Sequence, residues 1–180
     1  MLEKINITAI VKEHLQTLKR GSCTEISTWE VTLFFAIPIV IALPLAIYFD
    51  ISSDFVNGIV TAASIFAGLL LNLLVLIYTV LSRQRQPAKN DKEKQRLVIF
   101  KQVLKETFAN ISFCILTSVI LVAVCLLSYI KGGIFPKGNH FLIYFLISQL
   151  ILTLLMILKR IHKLFDFEIS NQEESDTTKK

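Results

Sequence analysis

FVNGIVTAASIFAGLLLNLLVLIYTVLS, residues 55–82, runs for 28 residues without an Asp, Glu, Lys, Arg or His. As a helix it is about 42 Å long, against the roughly 30 Å hydrocarbon core of a bilayer. The stretch therefore predicts a membrane span with length to spare. Within it Asn57, Thr61, Ser64, Gly68, Asn72, Thr79 and Ser82 recur at spacings of three, four or seven. At 100° per residue all seven fall within an arc of about 80°. One face is polar or small from end to end, and the remaining faces are Ile, Leu, Val, Ala, Phe and Tyr.

Three more uncharged segments lie outside it, at 31–49, 107–130 and 141–158. They explain why 53% of the 180 residues are apolar and only 18% charged, a balance outside the range of a soluble domain. The expected fold class is an all-α integral membrane protein with four transmembrane helices. Residues 1–28 form a cytoplasmic amphipathic helix and linker, 29–169 the transmembrane domain with a cytoplasmic connection at 83–106, and 170–180 a disordered tail. The leader carries acidic residues and no small-residue cleavage site behind an apolar core, which argues against a removable signal peptide.

In the leader Ile7, Ile10, Val11, Leu15 and Leu18 share one helical face, with Lys4, Lys12, Glu13, Gln16 and Lys19 elsewhere and Gly21 as a C-cap. The mixed charge favours packing against other helices over lying on a lipid surface. Ser27 with Glu30, and Asn90 with Glu93, have capping-box spacing, and Trp29 suits the headgroup level. Pro38 and Pro44 predict a bent first span. No breaker separates residue 91 from residue 130, so one helix of about 40 residues should project from the membrane and then enter it. A secondary polar face comprises Asn110, Thr117 and Ser128 on that helix, with Gln149 and Thr153 on the last one, where Met156 and Arg160 share the same side. The fourth helix should continue about two turns beyond residue 158.

Basic residues set the orientation. The leader holds four Lys or Arg, the 83–106 connection eight and the C-terminal segment five, whereas the other two loops hold none and two. Both termini are therefore expected in the cytoplasm.

The sequence has no phosphate-binding glycine loop, no HExxH, no CxxC and no nucleophile elbow. No span carries an ionisable acid or base, which counts against intramembrane hydrolysis and proton-coupled transport. His14, His140 and His162 stand in separate segments, and Cys23, Cys114 and Cys125 lack metal-ligand spacing. The expectation is no enzyme, no catalytic residue, no cofactor and no metal site.

Two uses of the residue 55–82 stripe remain open. Small and polar residues permit close helix contacts; alternatively, they line a water-filled conduit at the axis of a homo-oligomer, a tetramer for instance. Its end leads into a basic collar of Arg83, Arg85, Lys89, Lys92, Lys94, Arg96 and Lys101, with Lys105 beyond. The collar suits anionic headgroups or an acidic ligand such as an oligonucleotide.

With FAGLLLNLLV (66–75), NISF (110–113) and LLMILKR (154–160) in view, the chain resembles small four-span bacterial membrane proteins encoded in anti-phage loci beside a nucleotidyltransferase or nuclease. In outline it is similar to the channel effector of the Hailong defence system. That resemblance implies a dormant oligomeric channel that, on a cytosolic signal, depolarises the bacterial inner membrane. No functional residue is carried over from it. The competing expectation is a membrane anchor that docks a cytosolic defence enzyme without conducting ions. A small-solute transporter is a third.

Overall fold

The computed structural model describes residues 7–18, 28–83, 91–130 and 137–177. Among them the chain forms five α-helices: α1 (Ile7–Gln16), α2 (Thr28–Tyr48), α3 (Ser53–Arg83), α4 (Asp91–Ile130) and α5 (Lys137–Thr177). Four contain segments long and apolar enough to cross a bilayer, Trp29–Tyr48, Ser53–Ser82, Leu97–Ser128 and Asn139–Phe165. The chain is a multi-pass membrane protein by that measure.

Local chemistry explains the boundaries. The Phe55 amide donates to Ser52 Oγ at 3.2 Å, so a serine side chain caps the start of α3. α4 is a single helix of 40 residues, as its unbroken sequence predicts. α5 departs from the expectation, because the disordered tail assigned to 170–180 is helical as far as Thr177. After Gly138 no Gly or Pro occurs in α5 to stop it, and its Glu and Gln residues are good helix formers. Ser27 and Asn90, the proposed caps, lie outside the described residues, as does Cys23.

The bundle is centred on α4 and α5. α4 packs against α3, α5 and α1, and α5 packs also against α2. Along α4 the residues Thr107, Ile111, Cys114, Ser118, Leu121, Cys125 and Ser128 are all buried, and their alternating spacing of four and three is that of a coiled-coil seam. Most are small, which lets two backbones approach closely where hydrophobic exclusion from water offers no drive. α5 answers with Ile143, Leu146, Leu150, Thr153 and Ile157. Asn139 Nδ2 donates to Ser128 Oγ at 3.0 Å near one end, and Arg160 pairs with Glu106 at 3.2 Å near the other. These two contacts fix an antiparallel register that sets Gln149 opposite Thr117 and Ser118.

α2 and α3 are the outer helices. α2 turns Phe34, Pro38, Ala42 and Ala46, one every fourth residue, into the bundle. Pro38 and Pro44 lie inside this helix, and each removes one backbone N–H from its ladder. α3 buries Val56, Ala63, Leu70 and Ile77, one every seventh residue. Ile39, Val40, Ile47, Ile65, Leu69, Leu76 and Tyr78 are exposed, the apolar surface a lipid environment would cover.

Candidate functional site: an outward polar stripe and a polar junction

The stripe on α3 faces away from its own protomer. Asn57, Thr61, Ser64, Gly68 and Asn72 are exposed, and Thr79 and Ser82 are half-buried. At 100° per residue the stripe is centred about 150° from the Val56–Ile77 line that packs inward. Its hydroxyls are not equivalent to its amides. Thr61, Ser64, Thr79 and Ser82 each donate to the carbonyl four residues back, at 2.7–2.8 Å, so they carry little unmet polarity into an apolar medium. The carboxamides of Asn57 and Asn72 make no hydrogen bond among the described residues. Asn72 lies well inside the apolar helix, where an exposed amide without a partner is costly in hydrocarbon. A Cβ at Gly68 would meet nothing within 4 Å, so no contact inside the protomer demands glycine there.

The secondary face has the opposite fate. Asn110, Thr117, Ser128, Gln149 and Thr153 are all buried between helices of the same protomer. Thr117, Ser128 and Thr153 satisfy their hydroxyls on their own helices. Gln149 is only 3% exposed, and neither end of its amide has a hydrogen-bond partner. The two faces that look alike in sequence therefore separate into one outside and one inside.

Of the collar, Arg85 and Lys89 lie outside the described residues. Arg83 lies on α3, Lys92, Lys94 and Arg96 lie on α4, and Lys101 is exposed on α4.

A second polar constellation joins α1 to α4 and α5. His14 is the one polar residue on the apolar side of α1 and is fully buried. Its ring stacks on Phe113, with centroids 4.0 Å apart, and tilts against Phe34 at 4.9 Å. His14 Nδ1 lies 2.9 Å from the Asn110 carboxamide, and Thr17 Oγ1 lies 2.8 Å from the same amide atom and 2.7 Å from the His14 carbonyl. With the amide oxygen there, His14 Nδ1–H and the Thr17 hydroxyl both donate to it, and the His14 carbonyl also accepts the Thr17 backbone N–H at 2.9 Å. With the amide nitrogen there instead, its two N–H groups donate to His14 Nδ1 and Thr17 Oγ1, and the hydroxyl donates to the His14 carbonyl. In both orientations His14 Nε2 is buried with no hydrogen-bond partner among the described residues.

Arg160 completes the junction. Its Nη2 donates to the Thr17 carbonyl at 2.8 Å, and its Nη1 is 3.2 Å from Glu106 Oε2. Beside these residues is a cavity of about 590 Å³, walled by Thr17 and Leu18 in the turn after α1, Gln102 and Glu106 of α4, and Lys159 and Arg160 of α5. Burial pushes the His14 pKa down to about 4, the Asn110 contact raises it, and the Arg160 charge lowers it further.

This junction escapes a search for motifs. Two signals do point to it: His14 falls among Ile7, Ile10, Val11, Leu15 and Leu18, and Arg160 continues the Gln149–Thr153 face. Their meeting depends on how α1 folds back, which no local spacing encodes. No family model, curated protein or solved structure matches the chain.

Proposed function

We propose that the chain is the protomer of a homo-oligomeric membrane channel in which α3 stands nearest the axis. The observation that carries this reading is Asn72: an exposed carboxamide with no hydrogen bond among the described residues, on the face opposite the packed side of its helix. In hydrocarbon such a group costs several kcal/mol (order of magnitude), a cost removed by water in a conduit or by the amide of a neighbouring copy. Asn57, Thr61, Ser64 and Gly68 on the same exposed face extend the polar track. The small residues of α4 that face the bundle are buried inside the protomer, which favours its outer face as the place for a conduit.

With both termini in the cytoplasm, the basic collar surrounds the inner mouth. The likeness of 66–75, 110–113 and 154–160 to anti-phage membrane proteins supports a physiological setting. In that setting a cytosolic signal opens the channel and depolarises the bacterial inner membrane, with a nucleotidyltransferase or nuclease as partner.

The test is ion flux through liposomes containing purified protein, with Asn72→Leu beside the wild type. Flux lost in the variant while the protein remains folded supports the reading. Equal flux in both, or none from the wild type under conditions where the protein is toxic to cells, refutes it. The second reading, a membrane anchor, draws on exposed Val98 and Ile99 beside Lys101 on α4. Copurification of a stoichiometric cytosolic enzyme without any permeability would select it.

A further inference from the structure

His14 is a fully buried titratable side chain that the α3 conduit does not use. It is the centre of the contact that seats α1. One ring face is stacked on Phe113 of α4, and Phe34 of α2 closes the side. Nδ1 meets the Asn110 amide and Nε2 has no hydrogen-bond partner among the described residues. The next turn, through Thr17, is tied to Asn110 and to the Arg160 guanidinium. Leu18, Ile10, Val11 and Leu15 pack around Phe34, Phe113, Leu152 and Met156.

We infer that α1 is a latch that seats on α4 and α5 only while the His14 ring is neutral, so that acidification releases it. With the amide nitrogen toward the ring, a proton added at Nδ1 turns an acceptor into a donor aimed at the amide N–H of Asn110. With the amide oxygen toward the ring, Nδ1–H already donates to it and the added proton sits on Nε2. In either orientation the imidazolium holds an unpartnered Nε2–H against aromatic carbon, and a buried cation without a counterion is strongly disfavoured.

Among the described residues, the charged groups around the ring do not supply that counterion. Arg160 of α5 is a like charge. Glu106 of α4 is engaged by Arg160. Glu30 of α2 lines the cavity beyond Thr17. Lys12 and Glu13 of α1 are exposed on the side away from the contact. The apolar residues of α1 favour seating at any pH, so His14 sets the pH below which seating fails.

Hydrogen exchange of the full-length protein in detergent micelles, corrected for intrinsic rates, tests this at pH 7.5 and pH 4.5. Protection of residues 7–18 should fall on acidification by about seventyfold, the change linkage gives for a base held near pKa 4 when seated and 6.5 when free. The spans should keep their protection. His14→Phe and His14→Gln remove the titration, the first keeping the stacking and the second a neutral polar edge, and in each the 7–18 protection should be independent of pH. Unchanged wild-type protection at pH 4.5 overturns the inference. So does an equal acid response in both variants, or loss of protection in the spans together with α1. The readout is local to α1 and is the same whether or not the protein conducts ions.

Discussion

Asn72 and Gln149 are both carboxamides set in apolar helices, and the fold treats them in opposite ways. Asn72 is exposed, whereas Gln149 is buried with both ends of its amide unpartnered. Replacing Asn72 by Leu should leave protomer melting in detergent within about 0.5 kcal/mol of wild type, since the amide is exposed and makes no hydrogen bond among the described residues. Replacing Gln149 by Leu should stabilise the protomer by about 1 kcal/mol, because it removes a buried polar group that gains no bond. Thermal unfolding of both variants checks the contrast. For His14 the sign is that of a base held neutral by burial. Its contribution to α1 seating is complete above pH 6.5, declines below that, and is gone once the pH has fallen through about 4. The interval is worth about 3 kcal/mol. Asn72's exposure was not legible in the sequence, and His14's place on the apolar face of α1 did not name its partners, because both depend on which helices become neighbours.

The elements themselves were largely legible. An uncharged run of sufficient length can only be a helix in a bilayer, so α2 and α3 follow from composition alone. The continuity of α4 follows from the lack of any Gly or Pro between Asp91 and Ile130. The end of α5 did not follow, because polar residues after Phe167 read equally well as solvated helix and as tail. The seam on α4 was half visible: Thr117, Ser128 and Asn110 suggested a polar face, but the line along Thr107, Cys114, Ser118 and Cys125 is selected by size. That distinction is testable. Ser118→Ala should change stability by less than about 0.5 kcal/mol, since the hydroxyl bonds only the Cys114 carbonyl of its own helix. Ser118→Leu should cost about 1–3 kcal/mol or more by forcing α4 and α5 apart. Denaturation of the two variants in one detergent separates polarity from volume.

Across the whole molecule the polar positions divide between an interior that is filled and an exterior that is open. Facing helices fill the interior line on α4, while the stripe on α3 looks outward. The division has a consequence for stoichiometry. If conduction belongs to a shared surface, no copy owns a complete path, and a defective copy spoils every ring it enters. Wild type mixed with increasing amounts of Asn72→Leu should lose flux faster than in proportion to its dilution. With random mixing, the remaining activity follows the wild-type fraction raised to the number of copies in the ring. A straight line would mean that each protomer works alone, and the curvature would count the subunits directly.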